Sequence, residues 1–225
     1  MSDSIPDSVL ARFTAADATL LIDLRRDLHA HPELSWHETR TQERLEATLR
    51  TAGISDVRQI ARTGGVARIP GRVPGAPVIA LRGDIDALPI AEATGLPYAS
   101  LTDGIMHACG HDVHAAWAVG AALLLHRAPA DGDVLVVLQP AEEVGQGAAE
   151  VLSSGVLDGV RAIFGAHVDR RFEVGQVVAQ AGPLAASTDS CTITLTGAGA
   201  HGARPHEAAD PVVGLAALVT ALQTI

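Results

Sequence analysis

The sequence predicts an α/β fold in which a mostly parallel sheet is flanked by helices. Continuous apolar runs, such as residues 134–138, are typical of strands that are buried on both faces of a parallel sheet. Segments with apolar residues at helical spacing alternate with these runs, as they do in βαβ units. With 225 residues, of which 48% are hydrophobic, the chain is long enough for one or two domains with a sizeable core.

Local signals define the elements of the first domain. Apolar residues at helical spacing predict a helix over 7–29, which ends at His31-Pro32 because a residue before proline disfavours helical geometry. A second helix is predicted from about residue 36 to 51, before Gly53. The other predicted elements are strands over 64–69, 77–81, 134–138 and 162–166, and helices over 112–127 and 147–153.

A second domain is predicted near the end of the sequence. The composition changes at Gly182-Pro183, and beyond it Cys191, Ile193 and Leu195 alternate with threonines, as in a strand with one polar face. A helix follows from about Pro211. We therefore expect domains over 1–184 and 185–225. One strand and one helix cannot cover their own apolar faces, so we expect the second domain to be incomplete; the alternative is a complete protein whose last helix is frayed.

Charge and composition exclude several classes of protein. The net charge of −10 argues against nucleic-acid binding, and the 3% aromatic content argues against a platform for base stacking. Two cysteines cannot form a disulfide framework, which favours a reducing compartment. The sequence shows no signal-peptide pattern and no apolar run of the roughly 18 residues that would span a bilayer. We expect a cytoplasmic protein with neither nucleic-acid nor membrane partners.

Four clusters of chemically versatile residues are expected at the carboxyl edge of the sheet, where open α/β sheets bind ligands. Each has a plain structural interpretation: turn aspartates, incidental histidines at a helix start, a solvated acidic loop, and a lone structural histidine. Their shared location favours a functional interpretation. The clusters are Asp84 with Asp86, the segment 106–114 with Cys109 and three histidines, Glu142 with Glu143, and His167.

These residue types suit a metal-dependent hydrolase. Thiolate and imidazole are preferred ligands of zinc and related divalent ions. Of two adjacent carboxylates, one can bind metal while the other accepts a proton from water. We expect a ligand set with Glu142 free for proton transfer and His114 in a supporting role. The set comprises Cys109, His111, Glu143 and His167. A structural zinc site is disfavoured because such sites are closed cages rich in cysteine.

Six segments resemble the M20 metallopeptidase family, in its amidohydrolase branch, which includes hippurate hydrolase, auxin-conjugate amidohydrolases and N-acetyldiaminopimelate deacetylase. The resemblance runs from about Leu24 to the last residue. The segments are HAHPELS (29–35), LRGDIDALPI (81–90), MHACGHDVH (106–114), LQPAEE (138–143), GAH (165–167) and GAGAHGARPH (197–206).

The resemblance implies a zinc-exopeptidase-like core with two divalent metal ions, Zn2+ or Mn2+, with Co2+ or Ni2+ also acceptable. It also implies a ferredoxin-like α+β lid, which begins in 185–225 and makes the full-length protein a homodimer. By motif, Cys109 and His111 match metal ligands, Cys109 as a bridge, and Glu143 and His167 match two more. Glu142 matches the general base, Asp86 a residue that supports the metal site, and His201 a lid histidine that binds the substrate carboxylate or the oxyanion in the partner's site. A simple turn histidine is the alternative for His201.

The implied activity is hydrolysis of the amide bond of N-acyl amino acids or short peptides, as in a deacylase, aminoacylase or carboxypeptidase. Members of the family continue with the rest of the lid, further core elements and one more ligand histidine. The alternative hypothesis is therefore a truncated, catalytically inactive fragment that binds metal weakly. Asp169, Arg170 and Arg171 make the segment after His167 more charged than is usual in the branch, and no role is predicted for them.

Overall fold

The computed structural model describes residues 11–183, 187 and 190–224. The chain forms two compact units, Met1–Glu173 and Val174–Ile225. The domain boundary expected near residue 184 lies outside the described residues and stays a prediction. Within the described ranges, every helix is too short or too polar to span a lipid bilayer.

The described part of the first unit, residues 11–173, contains four helices and five strands. Eight of these elements overlap the segments predicted above, whereas the short β1 was not predicted. The helices are α1 (Ala15–Ala30), α2 (Thr39–Thr51), α3 (His111–Arg127) and α4 (Gly147–Ser153). The strands are β1 (Val57–Ile60), β2 (Gly64–Ile69), β3 (Ile79–Asp84), β4 (Val134–Gln139) and β5 (Ala162–Gly165).

Capping interactions explain where the first two helices begin. Thr14 and Asp17 form a capping box, so α1 starts at Ala15 rather than near residue 7, and residues 7–10 lie outside the described part. Helix α2 starts three residues later than predicted because Trp36 adopts a left-handed backbone conformation, with a φ of 69°. The amino end of α2 is capped from outside by the Glu33 carboxylate.

The five strands form one mixed sheet in the order β1-β2-β4-β3-β5. Strand β3 runs parallel to both β4 and β5, whereas β2 is antiparallel to β1 and β4. The parallel part of the sheet therefore consists of β4, β3 and β5, whose carboxyl ends meet at one edge.

Helices cover both faces of the sheet. Strand β4 is buried along its whole length, and its side chains alternate between two hydrophobic clusters. Val136 and Leu138 pack in the cluster that α1, α2 and α3 share, whereas Leu135 and Val137 pack with Val151 of α4. This sandwich explains the uninterrupted apolar run of β4, since neither face meets water.

The second unit contains helix α5 (Pro211–Leu222) and a short 3-10 helix (Pro205–Glu207). Asp210 caps α5 through the N–H of Val212, and Pro211 occupies the first turn, as predicted. The strand predicted over 191–196 is wrong, since these residues are described and form no ladder. An alternating pattern indicates a face but supplies no pairing partner, and the described part of this unit has only one bridge, between Ala198 and Ala209. The ferredoxin-like lid stays a prediction.

Candidate metal centre

The parallel strands bring the predicted residues to one edge of the sheet. Asp84 at the end of β3 lies in register with Gln139 at the end of β4, so Asp86 and Glu142 follow at the same level. His167 follows β5 by two residues. Helix α3 closes over this edge at Gly83, where a Cβ would come within 2.7 Å of the carbonyl oxygen of His114. Glycine at this position allows the amino end of α3 to approach β3.

The four predicted ligands converge around His111. Cys109 Sγ lies 3.4 Å from Nε2 of His167, and these atoms and a ring nitrogen of His111 all lie within 4.8 Å of one another. Nε2 of His111 is 3.6 Å from Oε2 of Glu142 and 3.7 Å from Oε1 of Glu143. Residues distant in sequence thus present sulfur, nitrogen and oxygen donors to a common space.

Two of the four predicted ligands each present a buried atom without a hydrogen-bond partner among the described residues. They are Nε2 of His111 and Oε1 of Glu143. A buried polar atom without a partner is costly, and a divalent cation satisfies both an imidazole nitrogen and a carboxylate oxygen. The donor set therefore fits the divalent ions that the sequence predicts.

The Asp86 carboxylate connects two parts of the centre. Its Oδ1 lies 3.2 Å from Nδ1 of His111, and its Oδ2 accepts the backbone N–H of Glu143 at 3.0 Å and the hydroxyl of Ser35 at 2.6 Å. A contact at Nδ1 orients the ring and leaves Nε2 facing the other donors. Burial alone would raise the pKa of Asp86. Hydrogen bonds with His111, Ser35 and the backbone together lower it by more, so the pKa of Asp86 lies below its usual value.

Three groups at the centre have pKa values above their usual values. Burial, together with the charge of Glu143, raises the pKa of the Cys109 thiol to about 12. Burial and the neighbouring charges of Glu142 and Asp86 likewise raise the pKa of Glu143. Burial opposes the cationic form of His111, but Asp86 and Asp84 raise its pKa overall. Each shift favours the protonated form of the group, as expected where acidic groups are buried close together.

His114 belongs to the support of the centre. It lies near Asp84 and His111, and these three could in principle hold an ion. However, its Nδ1 lies 2.6 Å from Oδ1 of Asp84, and its Nε2 accepts the N–H of Val168. Because both ring nitrogens are engaged, His114 has no free donor for a metal.

The two adjacent glutamates differ in exposure. The side chain of Glu143 is 18% exposed, whereas that of Glu142 is 40% exposed. Glu142 also lines a cavity of about 350 Å³ together with Arg82, Gln139, Gly145, Ala148, Ile163 and Gly165. This arrangement suits Glu143 to metal binding and Glu142 to exchange of protons with a molecule in the cavity.

Several supporting residues were not predicted. Ser35 and Glu38 bind groups of the centre from the loop before α2, and His29 lies 2.7 Å from Oδ2 of Asp112, the residue after His111. Arg25 also pairs with Asp112 at 2.7 Å. The segment 29–35 contributed to the resemblance, but nothing in its spacing indicates these long-range contacts.

His201 lies in the second unit. It is exposed, and its Nδ1 accepts the backbone N–H of Ala203 at 3.1 Å, so it forms part of a local turn. Its role toward a partner's site stays a prediction.

Comparisons with known proteins place the chain in a family. It is 47% identical over 211 residues to N-acetylcysteine deacetylase of Bacillus subtilis, covering 92% of this chain and 55% of that protein. It is 40% identical over 210 residues to N-acyl-L-amino acid amidohydrolase of Geobacillus stearothermophilus, covering 92% of this chain and 56% of that protein. The chain spans about half the length of the curated relatives it matches.

Two solved structures are also similar to this chain in sequence and fold. A dinuclear metal-binding peptidase of the M20 family from Bacillus subtilis is 50% identical, with a TM-score of 0.67, over 69% of this chain and 44% of that chain. A putative aminohydrolase from methicillin-resistant Staphylococcus aureus is 35% identical, with a TM-score of 0.78, over 96% of this chain and 58% of that chain. The family model described as peptidase family M20/M25/M40 matches residues 80–224. The fold, the convergent donors and this match together establish that the chain belongs to the M20/M25/M40 peptidase family.

Proposed function

We propose that this protein is a metal-dependent amidohydrolase that cleaves the amide bond of N-acyl amino acids. The observation that carries the proposal is the convergence of unpartnered buried donors of His111 and Glu143 beside Cys109 and His167. We assign to these four residues the binding of two divalent ions, Zn2+ or Mn2+, with Co2+ or Ni2+ as functional substitutes. The dinuclear centre named for the solved relative from Bacillus subtilis supports this number.

The bound ions would supply Lewis acidity, which activates water and polarises the acyl carbonyl. Glu142 takes the proton from the attacking water and returns it to the nitrogen of the leaving amine. Its exposure to the cavity supports this role, because a proton carrier must reach both the water and the amine. Asp86 orients His111 and holds the backbone of Glu143.

The names of the relatives support small N-acyl substrates. Two relatives are an N-acetylcysteine deacetylase and an N-acyl-L-amino acid amidohydrolase, and another from Arabidopsis thaliana is an IAA-amino acid hydrolase. The cavity of about 350 Å³ beside Glu142 has the size of a small-molecule site. Short peptides are a second substrate class, which a relative named thermostable carboxypeptidase 1 supports.

The remaining assignments concern the whole protein. We propose that residues 185–225 belong to a lid and dimerisation domain, that the protein is a homodimer, and that His201 binds substrate in the partner's site. A cytoplasmic location is supported by the two free cysteines, Cys109 and Cys191.

Metal analysis tests the centre directly. Elemental analysis of the purified chain, and titration with Co2+ followed by absorption, should reveal about two bound ions per chain, including a cobalt–thiolate band. Cys109→Ser should abolish that band, whereas the matched variant Cys191→Ser should keep it. A near-zero metal content in the wild type would instead support the inactive fragment.

Turnover tests the reaction. With the chain expressed in the longest form that its reading frame encodes, we expect hydrolysis of a panel of N-acetyl and larger N-acyl amino acids. Glu142→Gln should lower kcat by about 10²–10⁴-fold while the metal content stays unchanged. Glu150→Gln, an exposed carboxyl paired with Arg62, serves as the control. Near-normal turnover of Glu142→Gln would contradict the assigned role.

A further inference from the structure

We propose that Glu38 is a positioning residue whose buried carboxylate holds the turn that carries Glu142 and Glu143. The proposal rests on the proposed function insofar as that function assigns proton transfer and metal binding to the two glutamates. The contact itself joins Glu38 to Ala141, 103 residues along the chain.

The position of Glu38 in the chain is one where an acidic side chain ordinarily caps a helix. It directly precedes α2, where an acidic side chain normally accepts the free N–H groups of the helix start. Glu38 makes no such bond. The Glu33 carboxylate caps the helix instead, accepting the N–H groups of Arg40 at 3.2 Å and Thr41 at 2.8 Å. Glu38 is therefore free to turn away from its own helix.

The Glu38 side chain is completely buried, and both its oxygens accept hydrogen bonds. Oε1 accepts the backbone N–H of Ala141 at 2.8 Å, and Oε2 accepts the hydroxyl of Thr63 at 2.5 Å. Glu38 forms no ion pair with the residues that the structure describes. Burial of a carboxylate without a cation is costly, so we infer that its contribution is to fix the backbone of Ala141 rather than to add net stability.

Ala141 needs such an anchor because its backbone is strained. Its φ of 49° lies in the left-handed region, which a residue with a Cβ adopts only when its surroundings require it. The N–H of Ala141 is held by Glu38, and its carbonyl oxygen accepts the N–H groups of Gln146 at 3.3 Å and Gly147 at 3.0 Å. The residue is therefore fixed on both sides.

The strained residue determines where the glutamates lie. It follows β4 by two residues and directly precedes Glu142, so a change in its φ would redirect the chain that carries both glutamates. Loss of the Glu38 anchor would let Ala141 relax toward ordinary backbone angles. A displacement of about 1 Å is enough to lower catalysis by about 10²-fold.

The experiment compares wild type with Glu38→Ala, Glu38→Asp and Glu38→Gln, and with Glu46→Ala as a control in α2, the helix that follows Glu38. Glu46 is half-buried and accepts hydrogen bonds from Arg50 at 2.8 Å and from Gln42 at 2.9 Å, not from the groups of the centre. Three quantities are measured: the Co2+ dissociation constant, amide hydrogen exchange of peptides covering 138–147, and kcat and KM for an N-acyl amino acid. Circular dichroism checks that each variant is folded.

We expect Glu38→Ala to weaken Co2+ binding by about 10–100-fold, to accelerate exchange over 138–147, and to lower kcat with little change in KM. Glu38→Gln should keep Co2+ affinity, exchange and kcat close to the wild-type values. Its amide oxygen can still accept the N–H of Ala141, while its NH2 donates to Thr63. Glu38→Asp keeps the charge but is too short to reach both partners, so we expect an intermediate loss. Glu46→Ala should resemble wild type.

Wild-type Co2+ affinity and wild-type exchange in Glu38→Ala would overturn the proposal. If Glu38→Ala does not fold, the same result in Glu38→Asp overturns it. A wild-type protein that hydrolyses none of the N-acyl substrates would refute the proposed function alone, since metal affinity and exchange still decide the role of Glu38.

Discussion

The backbone N–H of Val168 donates to Nε2 of His114 at 3.0 Å, and so links the residue after His167 to the first turns of α3. Because Nε2 accepts this bond, the ring proton must lie on Nδ1, where the Asp84 carboxylate accepts it at 2.6 Å. His114 thus connects the end of β3 to the loop after β5.

Replacement of His114 by phenylalanine should weaken both the fold and the centre. His114→Phe can keep the stacking on Trp117 but leaves Asp84 and the N–H of Val168 without this buried partner. We expect a loss of about 2–4 kcal/mol in the free energy of unfolding, measured with urea. Co2+ affinity should fall by about 10–100-fold because the loop of His167 loses its anchor.

His126→Phe, at an exposed position in the last turn of the same helix, is the matched control. If His114→Phe binds Co2+ as tightly as this control, the hydrogen bond to Val168 does not position His167.

Replacement of Gly64 by alanine should disturb the centre, because Gly64 begins β2, the strand next to β4. A Cβ at Gly64 would approach Pro140 Cδ to 2.5 Å and the carbonyl oxygen of Leu138 to 2.7 Å, just before the turn that carries Glu142. We expect Gly64→Ala to lower the free energy of unfolding by about 1–3 kcal/mol. Co2+ affinity should fall in parallel, since Pro140 must move.

Gly65→Ala provides the comparison within the same strand. Its Cβ would meet its neighbours at ordinary distances of 3.5–3.8 Å, so we expect stability to change by less than about 1 kcal/mol. Equal effects of the two substitutions would argue against a steric origin.

The pair of Asp17 and Arg127 should make stability depend on pH. Hydrogen bonds from Arg127 and Thr14 hold the pKa of Asp17 far below its usual value of 3.8. A carboxylate whose pKa is lowered by folding stabilises the native state above its unfolded pKa, and this contribution is lost as the pH falls through about 4 and below. Asp17→Asn should therefore lower stability most near pH 7.

Urea unfolding of wild type and Asp17→Asn in the presence of a chelator, from pH 7 down to pH 3, measures this difference. The gap between the two proteins should narrow toward the acidic end. Asp23→Asn, at an exposed position in the same helix, controls for loss of a negative charge. A gap that is constant with pH would contradict the role of the carboxylate.

Elements with a local sequence signal were predictable. The apolar run of β4 and the apolar stretch of small residues around 115–125 in α3 indicate both the elements and their burial, and the α4 segment matches the prediction residue by residue. The site prediction followed from these elements, because parallel strands that end together bring their following residues together. The side chains of Cys109 and His167 are in contact at this edge, and their role as metal ligands stays a prediction.

The features that were not predicted correctly depend on a pairing partner elsewhere in the chain. Residues 191–195 alternate as a strand does, but a ladder requires a second strand, which alternation does not reveal. Strand β1 has only four residues, with apolar side chains at its ends alone, and it forms because β2 pairs with it. Glu38 bonds to a backbone N–H 103 residues away, and a backbone group leaves no mark in the sequence.

The Asp86 carboxylate has a consequence for protein engineering. One of its oxygens contacts the ring of His111 and the other accepts the main-chain N–H of Glu143, so two of the proposed ligands share a single support. A redesign that shifts Asp86 to retune the preference of His111 for one ion would also displace Glu143. Metal selectivity in this fold would therefore have to be altered at both ligands together, and libraries that randomise one position at a time should recover few improved variants.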